Sequence, residues 1–258
     1  MNKVVSIKFE WTYEPIDYLE EPISISSGVA QLSIGNGKAE ALVDPNGYEN
    51  KPNIKDELTS IVKSRLDAVQ LLTHREYSLA RPIRTDLRED GKRDIYLETK
   101  PAASKLSPRG EVDFIHKDKD GNILYDSKQD RLTRQKWFAD TVSRFRSKDS
   151  TLEQLLLSYQ HAVQDPDNEL LYLYEIRDAI SSKFGGKQNS LKQLSISIND
   201  WNMLGELANS RNIVQSRHRG KFADSLRNAR ESELESARKI AVLFIEKYLL
   251  FLEMHLDE

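Results

Sequence analysis

The segment Ser210 to Lys221, SRNIVQSRHRGK, sets an Arg-Asn pair ahead of an Arg-His pair in a half of the chain that otherwise has helical periodicity. The Arg211 guanidinium can clamp a phosphate through parallel hydrogen bonds, and the His218 imidazole can take or give a proton near neutral pH. Together they form a minimal set for cutting RNA without a metal. On a continuous helix the seven-residue spacing would turn His218 through about 700° from Arg211, nearly onto the same face. Gly220 and the β-branched Ile213 and Val214 leave a second placement open, on a loop entering the last helix, where the shared face is no longer guaranteed.

Such a site has to be local. The 258-residue chain carries 38 basic and 41 acidic residues, a net charge of -3, so it has no polycationic character overall. Between Arg211 and Arg230, however, six basic residues face one acid, a balance suited to a phosphate backbone. Arg217, Arg219, Lys221 and Arg227 are the candidate RNA contacts in that stretch. The absence of cysteine excludes disulfides, thiolate metal sites and a cysteine nucleophile. The N-terminal residues turn polar too soon for a signal peptide, and the apolar run Ile240 to Leu252 is interrupted by Glu246 and Lys247. A soluble, cytoplasmic protein with no membrane association is expected.

Two kinds of periodicity divide the chain into a β-rich domain over 1–125 and a helical bundle over 126–258, an α+β protein. Val5, Ile7, Phe9 and Trp11 alternate with polar residues and predict a half-buried strand. Further strands are expected at Ile23 to Ile25, Ala30 to Ile34 and Ala39 to Val43, with a hairpin turn at Gly35-Asn36-Gly37. Ile54, Leu58, Ile61, Val62, Leu66, Val69 and Leu72 recur at helical spacing and predict one long helix lying across the sheet. Residues 77–98 and 111–125 read as two more hairpins, turning at Asp90-Gly91 and Asp120-Gly121. Beyond Asp126, apolar stripes predict helices through Leu132 to Phe145, Leu152 to Val163 and Leu170 to Phe184, the last stopping at Gly185-Gly186. A helix from Ser197 to Ser210 and a long closing helix from Phe222 to Glu253 complete the expectation.

The stretch from about Glu169 to Leu252 resembles the HEPN superfamily of helical bundles, found in bacterial toxins and phage-defence proteins, many of them RNases. The resemblance rests on LYLYEIRDAISSKFGG, INDWNMLGELANS, RNIVQSRH and the long last helix. Its signature is an Arg, often followed by a polar residue, then four to six residues and a His, which Arg211, Asn212 and His218 match at the six-residue limit. The resemblance implies a homodimer with both motifs in one RNA-binding cleft, and a metal-independent endoribonuclease with no cofactor. His218 would act as general base or acid, Arg211 would stabilise charge on the phosphoryl oxygens, and Asn212 would orient the phosphate. It equally admits a non-catalytic dimerising or RNA-binding protein. The N-terminal domain would present a partner or trigger surface.

Other constellations are weaker. Asp86, Glu98 and Lys100 have the order of a metal-nuclease carboxylate set, although an exposed hairpin face explains them as well. Asp118 to Asn122 resembles a calcium loop without its closing Glu, and a β-turn is the better account. His74, His116, His161 and His255 are scattered and read as surface or packing residues. Tyr172 and Tyr174 read as core, and Glu175 as a buried partner orienting Arg217 or Arg211.

Overall fold

β1 (Val4–Glu14) organises the N-terminal part because its alternation is strict: Ile7, Phe9, Trp11 and Tyr13 are all buried on one face. The computed structural model describes residues 3–27, 29–96, 113–117, 122–217 and 219–256. Next along the chain come β2 (Ile23–Ser27), β3 (Ala30–Gly35), β4 (Lys38–Val43), α1 (Pro45–Asn50), α2 (Ile54–Thr73), β5 (Ser78–Leu79), β6 (Ile83–Arg88) and β7 (Arg93–Tyr96). The strands form an antiparallel sheet in the order β2-β3-β4-β1-β6-β7, with β5 pairing the end of β1. In β1, Ile7 pairs with Val43 on one side and Asp86 on the other.

Turn chemistry sets the register. Asn36 and Gly37 both take positive φ (52° and 76°), the geometry that a tight hairpin between twisted strands requires. On the buried face, Ile54, Leu58, Val62, Leu66 and Val69 of α2 pack into the same core as Phe9, Trp11, Leu32 and Ile34. Trp11 Nε1 donates to Thr59 Oγ1 at 3.1 Å, which satisfies the buried indole. The opposite face is polar, with Lys8 bridging Glu10 and Glu40. Periodicity alone does not reveal α1. Its signals are Asp44, whose side chain accepts from Gly47 N, and Pro45 in the first turn.

β8 (Ile115–Lys117) and β9 (Ile123–Asp126) form a separate hairpin whose Asp120-Gly121 turn lies outside the described residues, as does the strand expected beyond Tyr96. Helices follow: α3 (Ser127–Phe145), α4 (Ser150–Gln164), α5 (Glu169–Lys183), α6 (Lys187–Gln193), α7 (Ile198–Gly205) and α8 (Glu231–Leu256). The chain is therefore a mixed protein, an N-terminal antiparallel sheet followed by helices. It divides into two units, Met1–Val69 with Tyr77–Lys136 and Gln70–Glu76 with Trp137–Glu258, so the ends of α2 and α3 fall in different units from their beginnings.

The helical unit has its own core, in which Phe138, Phe145, Leu155, Leu173, Ile176, Trp201, Phe244 and Tyr248 are almost completely buried. Asp149 starts α4, accepting from Leu152 N at 2.7 Å, Lys183 Nζ at 3.1 Å and Tyr248 Oη at 3.0 Å. Replacing it with Ala removes a cap and strands a buried hydroxyl, and is expected to cost about 2–3 kcal/mol in a urea melt. Among the described residues, no helix is long and apolar enough to cross a membrane.

Two expected boundaries are corrected. α7 ends at Gly205 and widens into a π turn, Glu206–Ser210, instead of continuing as an α-helix. The closing helix begins at Glu231, not Phe222: the residues ahead of it form a 3-10 turn, Arg219–Ser225, and then a non-helical stretch with a single bridge at Arg227. Glu231 and Glu233 favour that start because carboxylates stabilise a helix N-terminus.

Candidate functional site

The segment from Arg211 to Arg230 is a closed loop joining the π turn to α8. Arg211 has extended backbone, φ -90° and ψ 150°, so it is not on a helix and the shared helical face does not form. Arg227 N donates to Asn212 O at 3.0 Å and Val214 N to Arg227 O at 2.9 Å, a fragment of ladder that pins the two ends of the loop together. Buried Ile213 anchors it, and the Ser216 hydroxyl donates back to the Ile213 carbonyl at 2.7 Å. The β-branched pair that disfavours helix thus supplies the extended anchor.

Glu233 gathers the cations at the base of this loop. It accepts from Arg211 Nη1 (2.7 Å), Arg227 Nη1 (2.7 Å) and Nη2 (2.8 Å), and Arg230 N (2.9 Å). The last contact is half of a capping box, with the third helical residue reaching back to the residue before the helix. Chiefly through Arg227, with the Arg230 amide and Arg211 assisting against the penalty of burial, the Glu233 carboxyl is lowered to about 2. Glu206 and Glu233 in turn raise Arg211, which stays protonated. Arg211 gives Glu206 Oε1 two further hydrogen bonds, at 3.0 and 2.9 Å.

The other site candidates separate. Asn212 Nδ2 donates to the Ser225 carbonyl across the loop. Arg217 leaves the base for α5, where it pairs with Asp178 at 2.9 Å and lies over the Tyr174 ring at 4.7 Å. Arg219 donates to the carbonyls of Ser216 and Asp167 and to the Asn168 side chain, all neutral acceptors. Lys221 is exposed on the 3-10 turn. His218 lies outside the described residues. Arg211 and Arg227 are therefore brought together, while Arg217 and Arg219 are drawn to α5 and the turn before it.

Glu175 does not orient either arginine. It is exposed and accepts from Ser158, whereas Asp178, one turn further along α5, holds Arg217. Tyr174 is core as expected; Tyr172 is half-buried and donates to Asp165. His74 sits against the Tyr159 ring, with Nε2 3.5 Å from Glu169. Asp86 is buried and clamped by Arg84 at 2.7 and 2.8 Å, while Glu98 and Lys100 of the same set lie outside the described residues. Among the described residues, no three His, Asp or Glu side chains gather as a metal site.

No family model, curated protein or solved structure matches the chain. The site is consequently read from its own chemistry.

Sequence reasoning missed Glu233 and Arg177. Glu233 had a legible signal, an acid two residues into a helix that follows a basic run. Arg177 had none, because in the sequence it is only a polar residue within an apolar helical stripe.

Proposed function

We propose that the helical unit is a HEPN-type bundle and that the chain is a metal-independent endoribonuclease of a phage-defence or toxin-like system, acting as a homodimer. What carries the reading is the state of Arg211. It stands at the base of the loop bearing His218, its side chain about one-third exposed (34%) and its orientation preset by Glu206 and Glu233. A guanidinium has five N–H donors, and three of these are committed to the two carboxylates. Two remain to meet phosphoryl oxygens. His218 takes the proton from a ribose 2′-hydroxyl, or returns one to the leaving 5′-oxygen. Arg211 stabilises the charge gathering on the phosphorus oxygens, and Asn212 orients the phosphate. Products carry a 2′,3′-cyclic phosphate and a 5′-hydroxyl, and DNA is spared because it lacks the internal nucleophile. The N-terminal sheet unit carries the trigger or partner surface.

A second reading is a non-catalytic dimerising or RNA-binding protein, and its dimerising form is favoured by a different observation: Arg217 and Arg227, two of the cations expected to contact RNA, are ion-paired with Asp178 and Glu233. Incubation with total RNA in EDTA separates the two. The catalytic reading expects cleavage by the wild type, cyclic-phosphate ends, and none of either from His218→Ala. Absence of cleavage by the wild type across substrates and pH leaves the binding reading.

A further inference from the structure

One arginine of the helical unit is treated differently from its neighbours. Arg177, in the middle of α5, has its Cζ 4.8 Å from the centre of the Tyr174 ring and 4.9 Å from that of Trp201. Its guanidinium lies flush against the backbone of α7 at Gly205, where a Cβ would fall 1.9 Å from Nη1 and 3.0 Å from Cζ. Only glycine leaves that notch open. Three polar atoms of α5, α7 and the π turn that follows Gly205 are buried with no hydrogen-bond partner among the described residues: Arg177 Nε, Trp201 Nε1 and Asn209 Oδ1. Unlike Arg211, Arg217 and Arg227, Arg177 meets no carboxylate among the described residues.

A guanidinium held half-buried without a counter-charge is an unfavourable way to fill space. Methionine would keep the contact with both rings and avoid the desolvation of a charge. Cation-π contacts return only about 0.5–2 kcal/mol. The π turn adds to the pattern, since such widened turns recur at functional sites. Arg217 completes the surroundings. It lies over the same Tyr174 ring, its ion pair with Asp178 is exposed, and it immediately precedes His218 in the chain. Exposed pairs of this kind are weak and exchange readily for a phosphate.

We propose that Arg177, seated in the Gly205 notch between Tyr174 and Trp201, is a phosphate-binding residue that holds a backbone phosphate of the RNA, with Arg217 as its neighbour at the Tyr174 ring. The assignment rests on the ribonuclease reading for the identity of the ligand but not for the existence of the site. Arg177 touches the substrate as an anchor, and proton transfer stays with His218.

The test measures binding apart from cleavage. A fluorescein-labelled 2′-O-methyl oligoribonucleotide, which lacks the attacking hydroxyl, is titrated in EDTA with the full chain while fluorescence anisotropy is recorded. Arg177→Met is expected to weaken binding by about 10- to 100-fold, the range of a lost charged hydrogen-bond pair, and to flatten the salt dependence by about one counterion. Its melting temperature should equal or exceed that of the wild type, which excludes unfolding as the cause. Gly205→Ala displaces the guanidinium and should show the same loss, with no further loss in the double variant. Arg177→Met binding within about twofold of the wild type overturns the proposal, as does an independent, additive effect of Gly205→Ala. Cleavage of natural RNA is scored in parallel. Arg177-dependent binding without any cleavage sustains the phosphate site and removes the ribonuclease reading, whereas cleavage and binding indifferent to Arg177 do the reverse. A wild type that does not bind the oligonucleotide overturns the phosphate site outright.

Discussion

Arg238→Ala is expected to lower the melting temperature by about 10 °C or more, the equivalent of some 3–5 kcal/mol, as much as truncating a buried aromatic of the helical core. Its partner explains the size. Glu169, the first residue of α5, is 1% exposed and accepts from Arg238 Nε at 2.6 Å and Nη2 at 2.9 Å. Removing Arg238 leaves that carboxylate buried, with the His74 imidazole, whose Nε2 is 3.5 Å away, beside it. Removing Glu169 is milder, because Arg238 keeps Glu231 at 2.7 Å and is 20% exposed. Desolvation makes the asymmetry: an unpaired buried charge costs far more than a lost pair. Replacing both, as Arg238→Met with Glu169→Leu, should therefore recover most of the stability. Differential scanning calorimetry of the three variants decides it. A melting temperature for Arg238→Ala within about 3 °C of the wild type would contradict this account of the pair.

Glu233→Gln is expected to destabilise the protein by about 2–3 kcal/mol at neutral pH and to release Arg211 and Arg227 together. The carboxyl is lowered from 4.5 to about 2, first by Arg227 and then by the Arg230 amide and Arg211. Because the folded value lies below the unfolded one, the stabilisation is complete above about pH 4.5 and is lost as pH falls toward 2. Urea melts at a series of pH values should show the gap between wild type and variant constant from pH 7 to about 5 and closing below that. A gap that persists unchanged at about pH 2.5 would mean that shape, not charge, is what Glu233 contributes. The variant also bears on the proposed chemistry. Arg211 would keep Glu206 but lose its charged anchor on α8, so RNA cleavage should fall further than RNA binding.

These contacts separate what can be read along the chain from what cannot. Strict alternation through Ile7, Phe9 and Trp11, the Asn36-Gly37 turn and the apolar ladder from Ile54 to Val69 are local signals, since each records which face of an element meets the core. That is why β1, the β3-β4 hairpin and α2 were legible from residues alone. So were α4 and the α5 stop at Gly185-Gly186. α1 and α6 were not, being too short for periodicity to register, and the closing helix was extended too far because Leu226 mimics its stripe.

The site divides in the same way. Composition established by itself that any nucleic-acid surface must be local and that no cysteine chemistry operates, and the order Arg-Asn…His marked where to look. Tertiary structure decided which cations meet a carboxylate. Glu233 neutralises Arg227 from 6 residues away, Asp178 meets Arg217 across 39, and Arg177, unremarkable in sequence, is left without a carboxylate among the described residues. Pairing of charges depends on distance in space and on burial, and neither is encoded in the spacing of residues along the chain.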